Sequence, residues 1–128
     1  IASIVFNNPQ KLKKLNEIIH PKVKTHFTNW LKRHSKHPFI IKEVAILFEN
    51  GGNKQCDLVI TVTAPKAIRI KRVLSRDNTT KDKVEAIINN QWSDEEKIKN
   101  SHFVIDNVVL AKTKKQVLHI HQQILNKL

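Results

Sequence analysis

Residues 57–77, DLVITVTAPKAIRIKRVLSRD, constrain the fold more than any other stretch. Leu58, Val59, Ile60, Thr61 and Val62 form a short run that is almost wholly apolar and rich in β-branched side chains, with no period-2 alternation. Such a run predicts a strand covered on both faces, as in a parallel sheet. Pro65 suits a first helical turn, because proline has no N–H to leave unpaired. Ala67, Ile68, Ile70, Val73 and Leu74 then recur at helical spacing, with Arg69, Lys71, Arg72 and Arg76 between them. A buried strand thus feeds a helix whose other faces are basic. Ligands of open α/β sheets bind beyond the carboxyl ends of the strands, where such arginines are placed to meet an anion.

The rest of the chain alternates in the same way. Residues 1–8, with apolar Ile1, Ile4, Val5 and Phe6, read as the end of a helix. Asn8-Pro9 is a helix start, and Leu12, Leu15, Ile18 and Ile19 follow at the spacing of an amphipathic helix. His20-Pro21 predicts a break, since the residue before proline is pushed out of the helical region. A second helix is expected from Pro21 to about Lys36, burying Val23, Phe27, Trp30 and Leu31. Phe39–Ile41 and Val44–Phe48 read as a first buried strand, followed by a loop, Glu49 to Asn53, that holds the chain's two glycines. Thr80 to Asn90 reads as a helix with Val84, Ile87 and Ile88 inward, and Ser93 with Glu96 forms a capping-box pattern. Phe103-Val104-Ile105 reads as a third short strand, ending at Asp106-Asn107. A last helix from about Lys112 to Leu128 is expected to bury Val117, Leu118, Ile124 and Leu125. Strands alternating with helices predict an α/β fold with a parallel sheet.

One domain is expected from 128 residues, and an apolar fraction of 40% supports a real core. The net charge of +12 favours anionic partners, or equally a lysine-rich solvated surface. The single Cys56 excludes an internal disulfide framework and fits a reducing compartment. No apolar run is long enough to span a bilayer, and no signal peptide is visible. The chain opens IASIVF and contains no methionine, so it reads as beginning inside an element, the expectation being a fragment of something longer.

The chemical motifs are sparse. With two glycines no phosphate-binding glycine loop exists, and there is no nucleophile elbow or zinc-type Cys/His cluster. His119 and His121 are two apart on a helix, so they face different sides and read as surface histidines. Arg69, Arg72 and Arg76 share one helical stripe, which suits phosphate oxygens or simply a solvated basic face. His20 reads as a packed helix corner. Glu49, at a strand's carboxyl end, could meet a ligand or cap a loop, and Asp106-Asn107 could be a turn or a polar pair that reads a ligand.

Together these pieces resemble the dephospho-coenzyme A kinase family from Ile4 to about Gln116. The resemblance is carried by Ile4-Val5-Phe6, Pro9, the run Leu15-Asn16-Glu17-Ile18-Ile19-His20-Pro21, and Ala45-Ile46-Leu47-Phe48-Glu49. It continues in Asp57-Leu58-Val59, Arg72 with Arg76-Asp77, Gln91 with Glu96-Lys97, and Val104-Ile105-Asp106-Asn107. Each motif is weak alone; their order and spacing make the match specific. Ala45 departs from a usual proline, Ser101-His102 from Ala-Asp, and Val109 from a glycine.

The resemblance implies a three-layer P-loop kinase-like α/β fold with a parallel sheet. The family's P-loop and catalytic aspartate have no counterpart here, so these residues match its carboxy-terminal two-thirds and are expected to be inactive alone. It further implies an ATP-dependent phosphotransferase, with Mg²⁺, acting on the ribose 3′-hydroxyl of dephospho-coenzyme A in the cytoplasm, with neither nucleic acid nor membrane as partner. Arg72, Arg76, Gln91 and Asn107 would serve ATP and the lid, and His20 and Glu49 the acceptor. Residues 1–37 would form the acceptor-binding region, 38–74 and 101–128 the core, and 75–100 the lid. A basic nucleic-acid-binding module and another P-loop small-molecule kinase remain the alternatives.

Overall fold

A computed structural model describes residues 8–128, without the side chains of Pro9, Leu12 and Asn16. The expected helix end at Ile1–Phe6, and with it the Ile4-Val5-Phe6 motif, lies outside the described residues. Two compact units divide the chain, Ile1–Ile41 and Lys42–Leu128.

The first unit is built on α1, Pro9–Arg33. Asn8 caps it as its sequence predicts: Oδ1 accepts the Lys11 N–H at 3.0 Å, and Pro9 occupies the first turn. The expected break at His20-Pro21 does not occur, and one helix of 25 residues runs through Pro21. A proline inside a helix deprives one carbonyl of its donor. Here the surrounding turn is exposed, so water can take that donor's place. Ile18, Ile19 and Val23 are likewise exposed rather than buried. Phe27, Trp30 and His34 stack one on the next along the end of α1, with His37 beyond them. The His34 backbone N–H closes the helix on Trp30 O and Leu31 O, so α1 stops short of Lys36.

The second unit holds a 3-10 turn, Gly52–Gln55, and then β1, Ile60–Thr63, α2, Lys66–Arg76, and α3, Lys81–Asn89. After these come α4, Asp94–Lys99, β2, Phe103–Asp106, and α5, Leu110–Leu125. β1 and β2 pair in parallel, Ile60 opposite Phe103 and Thr63 opposite Asp106. Side chains extend that ladder at the amino ends of both strands. His102 Nδ1 accepts the Val59 N–H at 3.0 Å, and the Thr61 and Ser101 hydroxyls meet at 2.6 Å. Ser101 and His102, which depart from the family pattern, thus help to hold the two strands in register.

The core of this unit is Phe48, Val59, Ala64, Ile70, Val84, Ile105 and Ile120, with Thr61 among them. The sheet is not buried on both faces as expected. Val62 is 57% exposed and Ile60 and Val104 are also open, so burial alternates along each strand. An apolar run without alternation shows that both faces tolerate apolar side chains; it does not show that both are covered.

Residues 39–48 also differ from expectation. No strand forms there, and residues 45–50 are a succession of turns. Asn50 N–H donates to Ile46 O, Gly51 N–H to Phe48 O, and Gly52 N–H to Leu47 O. Gly51 sits at φ +70, the left-handed region open to glycine, which lets the chain reverse. β-Propensity expresses fit to neighbouring strands. These backbone groups find their partners locally instead.

The helices of this unit follow the expected order but not always the expected face. α3 starts at its Thr80 cap and buries Val84, whereas Ile87 is exposed. α4 carries the full capping box: Ser93 Oγ accepts the Glu96 N–H, and Glu96 Oε2 accepts the Ser93 N–H. α5 buries Ile120, while Val117, Leu118 and Leu125 are exposed. Its first turns face inward with polar residues because they satisfy the end of β2. Gln116 accepts the Asp106 N–H through Oε1 at 2.9 Å and donates to Asp106 O through Nε2 at 3.0 Å.

Candidate functional site

The carboxyl ends of β1 and β2 lie side by side, because the strands are parallel and in register. Ligands bind at this end of open α/β sheets. The loop after β2 is held there from two sides. Thr113 Oγ1 lies 3.2 Å from Asn107 Oδ1, and the Arg72 guanidinium forks onto two backbone carbonyls. Arg72 Nη1 donates to Asn107 O at 2.6 Å and Nη2 to Val108 O at 3.1 Å. Arg72 and Asn107, thirty-five residues apart, therefore meet.

The three arginines of the stripe do three different things. Arg69 pairs with Asp94 at 2.8 Å, and Thr63 Oγ1, ending β1, donates to the same Asp94 oxygen at 3.3 Å. Arg72 grips the 107–108 loop. Arg76 forks onto its neighbour Asp77, Nε to Oδ1 and Nη2 to Oδ2, each 2.8 Å. Hydrogen bonding to Asp77 raises the Arg76 pKa, and the same bond to Arg76 holds the Asp77 carboxyl below its usual range. Shared spacing places side chains on one face. Which acceptor each one reaches depends on what lies opposite.

Glu49 is braced at the start of α4. Its Oε1 accepts the Trp92 backbone N–H at 2.8 Å and the Lys97 ammonium at 3.2 Å. Lys97 also reaches Gln91 Oε1 at 3.4 Å, so Glu49, Gln91 and Lys97 form one cluster. Burial pushes the Glu49 carboxyl up, but the backbone N–H groups of Glu49 and Trp92 and the Lys97 ammonium outweigh it, leaving the pKa below the usual carboxylate range. Glu49 Oε2 is buried and without a hydrogen-bond partner among the described residues. Phe48 stacks on Trp92 at 5.6 Å and 12°, fixing the indole beside the cluster. His20 lies exposed on α1, in the first unit.

A cavity of about 510 Å³ opens beside this cluster, lined by Arg69, Ile88, Gln91, Trp92 and Asp94 among others. Trp92 and Asp94 were not singled out as site residues in the sequence, and Arg69 was read only as part of the basic stripe. The run Gln91-Trp92-Ser93-Asp94, which puts an aromatic beside a capped helix start, was the available hint. Among the described residues no three His, Cys, Asp or Glu side chains gather as ligands for an ion.

Parallel strands, a crossover of helices and basic side chains at the strands' carboxyl ends define an α/β domain of the P-loop kinase-like class. A profile of the dephospho-CoA kinase family matches residues 1–112, and the chain belongs to that family. The chain is 41% identical over 107 residues to a dephospho-CoA kinase of Fusobacterium nucleatum, covering 84% of this chain and 55% of that protein. It is 36% identical over 128 residues to a dephospho-CoA kinase of Chlorobaculum tepidum, covering 98% and 61%. The fold is similar to the crystal structure of TT1252 from Thermus thermophilus, with a TM-score of 0.87 at 29% identity, covering 99% of this chain and 64% of that one. The chain thus spans a little over half the length of the curated relatives it matches. No helix among the described residues is long and apolar enough to cross a membrane.

Proposed function

We propose that this chain contributes the lid, the base-side loop and part of the acceptor region of an ATP-dependent kinase. That kinase transfers the γ-phosphoryl of ATP to the ribose 3′-hydroxyl of dephospho-coenzyme A, the last step of coenzyme A synthesis. Family membership supports the substrates. The observation that carries the reading is the fork of Arg72 onto the carbonyls of Asn107 and Val108. It brings the lid-bearing helix and the loop after β2 together at the carboxyl end of the sheet.

Phosphoryl transfer needs mostly positioning and stabilisation of charge. Arg76, exposed and already forked onto one carboxylate, has the geometry to exchange Asp77 for phosphate oxygens as a lid closes. Arg72 and Asn107 frame the nucleotide's base side. Gln91 orders the lid segment 75–100 through Lys97, and Glu49 acts on the acceptor side by fixing Trp92. Residues 1–37, with His20, belong to the acceptor region, and 38–74 with 101–128 to the core. The 128 residues contain no glycine loop for phosphate, so alone they transfer no phosphoryl group.

The test joins residues 1–128 to the amino-terminal part of the Fusobacterium nucleatum relative and supplies ATP, Mg²⁺ and dephospho-coenzyme A. Coenzyme A should form, and Arg76→Ala should lower kcat at least tenfold. A folded hybrid that binds ATP and phosphorylates another small hydroxyl acceptor, but not dephospho-coenzyme A, would overturn the reading.

A further inference from the structure

The cavity between α2 and the α3–α4 connection differs chemically from the arginines at the strand ends. Its volume of about 510 Å³ lies within the ~300–1,000 Å³ of small-molecule sites. Its charge is already balanced: Arg69 is paired with Asp94 at 2.8 Å, and the neighbouring Lys97 with Glu49 at 3.2 Å. A phosphate entering it would meet no uncompensated cation.

A flat, neutral, hydrogen-bonding group would fit better. Trp92 gives an aromatic surface and Ile88 an apolar one, while the amides of Asn89 and Gln91 can each donate and accept. Arg69 also lines it, its Nη2 held by Asp94 at 2.8 Å, so the guanidinium is fixed in place. The indole is also held in advance, by its stack on Phe48 and by the Trp92 N–H bond to Glu49. A ligand therefore need not order it.

We propose that this cavity seats the purine base of the acceptor nucleotide, stacked on Trp92, with Arg69 as the polar contact. The identity of the acceptor rests on the function proposed above. Base–aromatic stacking is favourable whatever the base, and discrimination among acceptors follows from the base rather than from the phosphates.

The chain's two tryptophans make the test direct. In Trp30→Phe protein, emission reports Trp92 alone. Dephospho-coenzyme A and plain adenosine should each quench it saturably, and adenosine should compete. 4′-Phosphopantetheine, the other end of the acceptor, should leave it unchanged. Arg69→Met should weaken dephospho-coenzyme A binding, followed by calorimetry, at least tenfold, with an unchanged far-ultraviolet spectrum. Binding of dephospho-coenzyme A by calorimetry, with Trp92 emission and the Arg69→Met affinity both unmoved, overturns the cavity assignment and leaves the kinase reading intact. Quenching by adenosine without any binding of dephospho-coenzyme A supports a nucleobase site and overturns that acceptor. Quenching by 4′-phosphopantetheine but not adenosine, or by none of the three, overturns the proposal.

Discussion

Replacing Lys97 by methionine isolates the electrostatic brace at the start of α4. Lys97 and Glu49 are 15% and 17% exposed and 3.2 Å apart. At an effective dielectric of about 20 the gross attraction is about 5 kcal/mol, but desolvating two ions and fixing two long side chains takes back most of it. Exposed pairs yield about 0.2–1 kcal/mol, while breaking a fully buried pair costs about 3–5 kcal/mol. At this depth, with the Trp92 N–H still bonded to Glu49, the expected loss is about 1.5–3 kcal/mol.

Urea unfolding of Trp30→Phe protein, followed by Trp92 emission, reads that loss in the second unit. The midpoint should fall by roughly 1 M. The pH dependence gives an independent check. Glu49 has a folded pKa below its unfolded one, so its contribution is present above about pH 4.3 and is lost as pH falls through the folded value. Removing Lys97 lets that pKa climb back, which flattens the acid limb. Glu49→Gln, which keeps an oxygen for the Trp92 N–H, should cost less than Lys97→Met, and the double variant should be more stable than the sum of the two losses implies. A loss under about 0.5 kcal/mol with an unaltered acid limb would refute the reasoning.

Three further outcomes follow from local geometry. Ser93→Ala removes half of the capping box and should cost about 0.5–2 kcal/mol, with faster amide exchange at Glu96 and Lys97. Gly51→Ala should cost about 1–2 kcal/mol through the positive φ alone, since an added Cβ meets nothing within 4 Å; a matched alanine at Gly52 would instead press on Asn50 Oδ1 at 2.9 Å. Arg72→Lys keeps the charge but loses the fork, so amide exchange across residues 107–110 should accelerate several-fold, and an unchanged rate would separate Arg72 from that loop.

What the sequence disclosed was local or periodic. The Ser93–Glu96 box, the Asn8-Pro9 start and the strand ending at Asp106 each depend on neighbours within a few positions. Val44–Phe48 misled because strand formation is a property of pairs, and these residues close turns on themselves through Gly51 and Gly52. The face of α5 misled because Gln116 is inward for its amide: it reads the backbone of Asp106, which no hydropathy pattern records. Pro21 misled because an exposed turn tolerates a lost donor. At the site, motif order put Arg72 with Asn107, whereas Glu49 was set with His20, apart from Gln91, and their cluster through Lys97 could not be anticipated. Nor could Arg69 with Asp94, since one helical stripe holds three arginines and their partners come from three different segments.

The pairing of Ile60 with Phe103 spans 43 positions. Closing a flexible loop of that length costs about 3 kcal/mol in chain entropy, more than the first one or two ladder bonds return at about 1 kcal/mol each. The intervening helices must shorten that loop before the strands gain by meeting. In time, then, the two-stranded sheet is a product of its crossover rather than the template for it. The side-chain clasps of Ser101 and His102 then add two contacts at the amino ends of the strands.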